Sequence, residues 1–540
     1  MKKIYRKMMV LMNRKQKLKM VQILFMMVMG VAVLLNKGTN IFLGTISFLT
    51  DNVAIILQLA TSMDYSIFLL DAFMSWRDTG LSEEEAIVKA VEEAINSIFA
   101  SSLTTVVGFL ALVTMKFNIG FDMGLVLAKG IVFSLLSVVF FMPAMILKFT
   151  KLNDRTKHRS FFPDFTKLGK GVFKIRYAVL IGVLLITPPA YVAQGMNHFL
   201  YGNSAVGGAK GTQVYEDDQE ITQRFGRSNM LLLIYPNNDM VAERRLSDEL
   251  EALPYVKSVT SMANTLPEGV PEEFLPESAT SLLHKNDTAR MLIYIRTKGE
   301  SDIAFQCTGP DRKPSHNGLP LPHPVFLRGQ DIKVTITEDN TRVNVLSLLG
   351  VFMVVMFSFH SVLIPLVVMI PIEVAIFLNM AIPYIQGVDM VYMGYIIVSS
   401  IQLGATVDYS ILLTNNYIAK RKLLPKKEAC IEAVTRSCSS IFTSGTIITL
   451  AGYIVHFIST TAAIGDLGHL IGRGGLLSVM LVLTLLPALL VLCDPLIIEK
   501  DWKKPGRKIR EHYGVRRHQF HERAERIREL GNRWKNERDV

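Results

Sequence analysis

Long apolar stretches alternate with short polar ones along most of the chain. Ten of these stretches approach or exceed the ~18 apolar residues that a helix needs to cross about 30 Å of hydrocarbon. They predict spanning helices near residues 20–36, 48–73, 96–116, 124–147, 177–195, 343–359, 362–383, 391–416, 438–458 and 470–493. We therefore expect a polytopic α-helical membrane protein with about ten transmembrane helices.

The one long polar segment, residues 196–342, has a different pattern. TQVYEDDQEITQRFG and MVAERRLSDELEAL have the spacing of amphipathic helices, whereas MLLLIYP, VKSVTS and ARMLIYIRT are typical of strands. A mixture of helices and strands in one segment predicts a folded α+β domain.

Within this segment the pattern breaks at CTGPDRKPSHNGLPLPHPVFLRGQ, residues 307–330. Its five prolines exclude a helix and a central strand, because proline lacks the backbone N–H that both need. Two interpretations stay open. The segment is either a surface loop or a local sequence anomaly such as a frame slip, since SDIAFQ before it resembles a helix cut short.

Charge places the predicted elements relative to the membrane. Only 19% of the 540 residues are charged, and the net charge of +11 comes from basic stretches that flank apolar ones, so no nucleic-acid partner is indicated. The basic stretches are residues 148–176, KRKLLPKK and the tail from Lys500 onward. By the positive-inside rule they are cytoplasmic, which puts both termini in the cytoplasm and 196–342 on the opposite side.

Metal and redox chemistry find little support in the sequence. The four cysteines lie in unrelated contexts, without a CxxC pair or a Cys/His cluster. Neither a metal site nor a disulfide framework is therefore expected, and we expect no cofactor.

Two segments place an acid in the same apolar setting: QLATSMDYSIFLL at 58–70 and QLGATVDYSILLT at 402–414. The two Asp-Tyr pairs are 344 residues apart. Further identities recur at 343 or 344 residues, namely Asn36 with Asn379, Gly108 with Gly452, Gly130 with Gly474 and Pro143 with Pro487. We therefore predict two copies of one four-helix unit, residues 31–147 and 374–491, which run in the same direction across the membrane.

The second copy alone is preceded by a helix, the α+β domain and another helix. The first copy has only MKKIYRKMMVLMNRKQKLK before it. This difference indicates either an N-terminally truncated chain or a partner that supplies the other half. The predicted organisation is a basic N-terminus (1–19), a first four-helix unit (20–147), a basic linker (148–176), a helix (177–195), the extracytoplasmic domain (196–342), a helix (343–359), a second four-helix unit (360–495) and a basic tail (496–540).

Asp64 and Asp408 are the candidate functional residues. Each lies 11–12 residues before the cytoplasmic end of its predicted helix, so each is expected ~16–18 Å deep, near the bilayer centre. An acid there costs ~3 kcal/mol on insertion scales and usually marks an ion or proton path. Tyr65 and Tyr409 follow the acids, and since neighbouring residues point ~100° apart, each Tyr is better placed to serve the other helix's Asp. The alternative is that both acids are neutral, hydrogen-bonded packing residues.

Other polar positions are weaker candidates. Ser66, Ser410, Thr105 and Thr449 could extend a proton relay, although membrane helices also use Ser and Thr for packing. Lys129 and Arg473 match at 344 residues and are expected to extend toward the membrane surface. Glu373, in the seventh helix, is a further candidate for contact with the acids.

The motifs SMDYSIFLL (62–70) and TVDYSILLT (406–414), with a Gly and a Pro-Ala repeated on the last helix of each unit, resemble the resistance–nodulation–division (RND) superfamily. The similarity is greatest to its MmpL-like (mycobacterial membrane protein large) branch. The resemblance implies an RND-type duplicated helical bundle with twelve helices and two ferredoxin-like porter domains. It also implies a relay of Asp64, Tyr65, Asp408 and Tyr409. The chain departs from this pattern by lacking one helix–porter–helix block and at 307–330.

The same resemblance implies proton-driven export of lipids, drugs or other amphiphiles across the cell membrane of a bacterium. The expected partners are membrane lipids, an amphiphilic substrate and protons, with self-association or a second chain completing the porter region. The chain is not expected to be an enzyme. Four alternatives remain: a Patched-like sterol-sensing protein, a SecDF-like export protein, an intramembrane aspartyl protease and an inactive truncated form.

Overall fold

The computed structural model describes residues 24–154, 165–200, 207–226, 229–236, 239–266, 274, 280–285, 287–296, 325–327 and 330–498. Among these residues, ten helices are long and apolar enough to cross a membrane, as predicted. They are α1 (Leu24–Leu43), α2 (Phe48–Arg77), α3 (Glu83–Thr114), α4 (Asn118–Phe149), α5 (Thr166–Gly195), α9 (Gln330–Phe359, spanning from Thr337), α10 (Leu363–Gln386), α11 (Tyr392–Arg421), α12 (Lys426–Ile458) and α13 (Ala462–Leu492). The protein is a mostly helical, multi-pass membrane protein.

The shorter elements lie between α5 and α9, apart from one strand and the last helix. They are β1 (Phe199–Leu200), α6 (Gln213–Phe225), β2 (Asn229–Pro236), α7 (Met240–Glu251), β3 (Val256–Thr260), α8 (Met262–Thr265), β4 (His284–Lys285), β5 (Thr288–Ile295), β6 (Val325–Leu327), β7 (Met390–Val391) and α14 (Asp494–Ile498). Helix α14 belongs to a separate unit that begins at Leu492.

Several spanning helices begin earlier than predicted. Helix α3 begins at Glu83 rather than near 96, α12 at Lys426 rather than near 438, and α5 at Thr166 rather than near 177. At α3 the cause is local: the Ser82 hydroxyl accepts from the Glu85 N–H and the Glu85 carboxylate accepts from the Ser82 N–H, which is a capping box. The apolar pattern marks only the part in lipid, whereas the backbone hydrogen bonds continue into the polar layer.

The internal repeat is visible in the hydrogen bonds of the two four-helix units. In the first, the Asn36 amide donates to Gln58 Oε1 over 3.0 Å, and the Gln58 amide donates to the Gly130 carbonyl over 3.1 Å. The matching bonds in the second unit, at 3.0 and 3.3 Å, join Asn379, Gln402 and Gly474. Each buried network ties the first helix of its unit to the second and the fourth, so it fixes the unit as one body.

Two basic residues belong to these networks, which corrects the prediction that they extend toward the membrane surface. Lys129 Nζ donates to the Asn36 carbonyl and to Asn40 Oδ1. Arg473 donates through Nε to Asn379 Oδ1 and through a terminal nitrogen to the Asn379 carbonyl, both over 2.8 Å. Their charges are held inward because the Asn36 and Asn379 carbonyls and the Asn40 and Asn379 amide oxygens supply acceptors there.

The two units meet through crossed helix pairs. Helix α2 of the first unit packs against α12 of the second, and α3 packs against α11. Helix α9 packs against α3, α10 and α11, and α5 packs against α10 and α12. Helices α2 and α11, which carry the Asp-Tyr pairs, therefore lie where the two units meet. Each packs against the third helix of the other unit, α2 against α12 and α11 against α3.

The polar segment folds as predicted over its described residues. Its sheet is antiparallel with the order β3-β5-β2-β6, and β4 pairs with β5. Alternate residues of β2 and β5, such as Leu233, Met291 and Ile293, pack with Leu246 of α7 in one core. This order, with α7 crossing between β2 and β3, agrees with a ferredoxin-like arrangement.

The proline-rich segment lies largely outside the described residues. Its residues 325–327 form β6, at the edge of the sheet. The loop interpretation is therefore wrong for these three residues, while the exclusion of a central strand holds. An edge position tolerates a neighbouring proline because one side of the strand needs no partner.

A buried polar pair stabilises the same fold. Glu243 Oε2 lies 2.8 Å from His284 Nε2, and Glu243 Oε1 accepts from the Ala263 N–H over 3.0 Å. Both side chains are about 3% exposed. Burial and the Glu243 carboxylate raise the pKa of Tyr235.

Short strands join this segment to the helical bundle. Strand β1, directly after α5, pairs in parallel with β7, directly before α11. The Ala209 N–H donates to the Thr460 carbonyl and the Ala462 N–H to the Gly207 carbonyl. The sheet is therefore attached at the end of the bundle where α11 begins. We call the opposite end, which carries the α2–α3 and α11–α12 turns, the turn end.

Candidate functional site

A cavity of about 670 Å³ lies among α2, α3, α11 and α12 and extends from the two Asp-Tyr pairs toward the turn end. Asp64 and Asp408 each precede the last residue of their helix, Arg77 or Arg421, by 13 residues. At 1.5 Å per residue this is about 20 Å, slightly deeper than predicted. Both acids are half-buried, with part of each side chain open to the cavity.

The first acid is linked to the opposite tyrosine through a serine. The Ser444 hydroxyl of α12 donates to Asp64 Oδ2 over 2.5 Å and lies 2.8 Å from the Tyr409 hydroxyl. Because a serine has one O–H, the arrangement that satisfies all three groups has Tyr409 donating to Ser444 and Ser444 donating to Asp64. This is a continuous hydrogen-bonded chain between the two units.

The second acid has a similar environment, built from the opposite helix. Ser101 and Thr104 of α3 face Asp408. Ser101 and Thr105 face Tyr65, whose side chain is 3% exposed. Ser101 is the repeat counterpart of Ser444, 343 residues earlier. Each acid is thus approached by the same serine of the other unit.

Each tyrosine lies near the acid of the opposite unit. Tyr409 is linked to Asp64 through Ser444, and Tyr65 and Asp408 both face Ser101. Among the described residues, no hydrogen-bond partner is found for Tyr65 Oη, Asp64 Oδ1 or Asp408 Oδ1. These buried oxygens are the atoms at which a proton or a water molecule would be bound.

The weaker candidates are placed differently. Ser66 donates to the Ser62 carbonyl of its own helix, and Thr449 to the Gly445 carbonyl, so both are engaged locally. Thr105 donates to the Gly404 carbonyl of α11 over 2.9 Å, which joins the two units beside Tyr65. Ser410 is buried. Of these residues, only Thr105 lies against an Asp-Tyr pair by its contacts.

Glu373 is placed elsewhere in the bundle. It lies near Tyr395 of α11 and is absent from the cavity lining among the described residues. The prediction that it could contact the acids finds no support here.

Ser444 is the residue that the sequence reasoning missed. Its signal is the repeat itself, because Ser101 lies on the helix after the first Asp-Tyr pair and the period of 343 leads from it to Ser444. The polar residues farther along the cavity, including Asp71 and Ser440, were also missed. Both residues lie near the ends of the predicted apolar segments, 48–73 and 438–458.

Among the described residues, no group of three or more His, Cys, Asp or Glu side chains is arranged to hold a metal ion. The chemistry that the described side chains themselves offer is proton exchange along carboxyl and hydroxyl groups.

The sequence profile of the MMPL family matches residues 17–167 and 327–537, about two thirds of the chain. The chain belongs to the MMPL family. Both matched segments contain an Asp-Tyr pair, in α2 and in α11. The resemblance predicted from these motifs is confirmed at the level of the family, whereas the roles of the individual residues stay predictions.

Solved structures similar to this MMPL chain include SecDF, a translocon-associated membrane protein from Thermus thermophilus. The TM-score is 0.60 at 12% identity, and the match covers 90% of this chain and 61% of that one. A super-membrane-facing form of SecDF gives a TM-score of 0.56 at 14% identity, with 92% and 63% covered. At such low identity the likeness shows a shared RND-type fold.

A curated relative is membrane protein MJ1562 of Methanocaldococcus jannaschii. It is 37% identical over 91 residues, which are 17% of this chain and 24% of that protein. The MMPL chain therefore spans less than two thirds of the length of each of these relatives.

Proposed function

We propose that this chain is the proton-coupled membrane unit of a transporter that moves lipids, drugs or other amphiphiles out of the cell. The observation that carries the proposal is the chain Tyr409–Ser444–Asp64, which links the acid of one unit to the tyrosine of the other in the middle of a membrane bundle. One proton crossing 100 mV yields ~2.3 kcal/mol, and each pH unit adds ~1.4 kcal/mol. Asp64 and Asp408 would take up and release these protons, with Tyr65 and Tyr409 as relay partners.

The crossed contacts suggest how protonation would move helices. Asp64 on α2 binds Ser444 on α12, and Thr105 on α3 binds the Gly404 carbonyl on α11, so both interfaces between the units meet at the acids. A protonated Asp64 is a weaker acceptor than a carboxylate. Its bond to Ser444 then weakens, which favours a rearrangement of α2 against α12.

The proposed setting follows from charge and fold. The turn end faces the cytoplasm of a bacterium, with both termini on that side and the sheet outside. Residues 196–342 act as a porter domain, and self-association or a partner chain completes the substrate path. We expect no enzymatic activity, since the proposed function requires only proton exchange at these groups.

A second candidate is assistance to protein export, as in a SecDF-like protein. It is favoured by the fold shared with SecDF, which spans nearly the whole chain. An unfolded secretory peptide would then replace the amphiphile as substrate, with the same protons driving the cycle.

The test is transport by the chain reconstituted in liposomes with an imposed pH gradient. Efflux of a fluorescent lipid should accelerate with the gradient and should be lost in Asp64→Asn. Asp51→Asn, an exposed acid paired with Lys37, is the matched control. Lipid movement that ignores the gradient would contradict the proposal, and gradient-dependent translocation of a secretory peptide alone would favour the second candidate.

A further inference from the structure

The cavity contains a second level of polar contacts between the site and the turn end. Asp71 lies seven residues after Asp64 on α2, which is two turns and about 10 Å along the same face. Ser440 lies four residues before Ser444 on α12. Its hydroxyl is 3.5 Å from Asp71 Oδ2. Asp71 and Ser440 therefore repeat the pairing of Asp64 with Ser444 one level nearer the turn end.

The second unit has an amide where the first has this acid. The repeat counterpart of Asp71, 344 residues later, is Asn415, and the counterpart of Ser440, 343 residues earlier, is Ser97. Both also line the cavity. A carboxamide does not take up or release a proton as a carboxylate does. Among the described residues that line the cavity at this depth, the acid therefore lies on the α2–α12 side.

From this asymmetry we propose that Asp71, positioned by Ser440, is the proton carrier between the Asp64–Asp408 pair and the turn end. The proposal rests on the proton-coupled function proposed above and adds a direction to it. The O–H bond of protonated Asp64 breaks, its proton passes through cavity water, and an O–H bond forms on the Asp71 carboxylate. Asp71 then releases the proton to water at the turn end, so charge and atoms balance without another reactant.

The dimensions of the cavity suit this step. Its volume of about 670 Å³ is enough for several water molecules, each of which occupies about 30 Å³ in the liquid. The other ionisable groups that line it are Asp64, Tyr65, Glu93, Asp408, Tyr409 and Arg436. Glu93 accepts from the Trp76 indole N–H over 2.6 Å, and it matches Arg436 at 343 residues. At the level of Glu93, too, the first unit carries an acid, whereas the counterpart in the second unit, Arg436, is a base.

The test compares matched variants of the full chain in liposomes, with proton flux followed by a pH-sensitive dye inside. Asp71→Asn, which makes the first unit like the second, should slow the flux at least about 10-fold, whereas Asn415→Ala should change it less than about twofold. Azide or another small weak acid should restore flux to Asp71→Asn, because it can enter the open cavity and carry the proton. A purely structural role of Asp71 would not respond to azide.

The outcomes separate this inference from the proposed function. If Asp64→Asn stops the flux but Asp71→Asn does not slow it, the carrier role is overturned and the relay stands. If neither substitution changes the flux, both are overturned. Equal losses in Asp71→Asn and Asn415→Ala without rescue by azide would also overturn the carrier role.

A second readout needs no turnover. After a pH jump, the infrared carboxyl bands that Asp64→Asn removes should change at least about 10-fold more slowly in Asp71→Asn than in Asn415→Ala. Equal rates would overturn the carrier role.

Discussion

Gly452 and its repeat counterpart Gly108 allow a prediction that can be worked from distances. A Cβ atom added at Gly452 would lie 2.4 Å from the Gly472 nitrogen and 2.6 Å from the Gly468 oxygen. Ordinary contacts begin at 3.4 Å, so Gly452→Ala requires α12 and α13 to move apart by about 1 Å. These contacts are backbone atoms, which cannot rotate away.

The cost follows from this displacement. Overpacking by one methyl group typically costs about 1–3 kcal/mol, and a radial gap of 0.5–1 Å forfeits about a quarter to a half of the dispersion energy along the separated surface. We therefore expect Gly452→Ala to lower the free energy of unfolding by about 2–3 kcal/mol. At Gly108 the added Cβ would meet Gly404 Cα at 3.3 Å, and the expected cost of Gly108→Ala is below about 1 kcal/mol.

The measurement is unfolding of the purified protein from mixed micelles by increasing SDS, followed by circular dichroism. Gly108→Ala is the control, because it places the same methyl group at the equivalent position of the repeat. Equal losses in the two variants, or a loss below about 0.5 kcal/mol in Gly452→Ala, would refute the reasoning from the α12–α13 contact.

Three other predictions concern single side chains. Ser444→Ala should slow proton flux about 10- to 100-fold, because a hydrogen bond to a charged group contributes about 1.5–3 kcal/mol. The control is Thr443→Ala, since the Thr443 hydroxyl donates to a carbonyl of its own helix. Equal flux in the two variants would contradict the link through Ser444. Asn379→Ala should lower the free energy of unfolding by about 2–4 kcal/mol, since Arg473 Nε and Gln402 Oε1 each lose the hydrogen bond that the Asn379 side chain makes with them. Asn52→Ala, at an exposed amide, should cost less than about 0.5 kcal/mol in the same SDS titration. Glu243→Ala should destabilise the sheet by about 2–4 kcal/mol, because His284 and the Ala263 N–H lose the Glu243 carboxylate as a partner. Hydrogen exchange of β2 and β5 measures this loss. The control Glu249→Ala removes an exposed pair with Arg245, and a similar loss of stability there would contradict the importance of burial.

The number of spanning helices and their order could be predicted because lipid selects for apolar composition over a fixed length. The helix ends could not, as α3 shows. Residues 83–95 are rich in charge, so the hydropathy pattern ends before the helix does, while the capping box at Ser82 sets the true start. Local capping chemistry was present in the sequence but lay outside the apolar window.

The acids and their crossed tyrosines could be predicted from the repeat, since two identical settings 344 residues apart must be related by the pseudo-symmetry. The serine between Asp64 and Tyr409 is the repeat counterpart of Ser101, but the sequence alone does not show which of several hydroxyl groups on α12 faces α2. Which of them faces α2 depends on the rotation of α12 about its axis, and that rotation is set by its packing against α2, α5 and α11. Packing decides this detail.

The positions of Lys129 and Arg473 show a limit of reasoning from one residue at a time. Each looks like a charge that should reach the membrane surface, but each finds acceptors on a neighbouring helix. The recurrence of Asn36 and Asn379 at the same spacing was the clue that joined them. A repeated polar pair in apolar surroundings predicts a shared network better than it predicts exposure.

The measurement that tests the central claim most directly is proton flux through the reconstituted chain in Asp64→Asn and Asp408→Asn, each beside the control Asp51→Asn. If the two buried acids form one relay, either substitution alone should reduce the flux at least about 100-fold, and the control should match the unaltered protein. Flux that survives the loss of either acid would contradict the claim that protons cross through the pair.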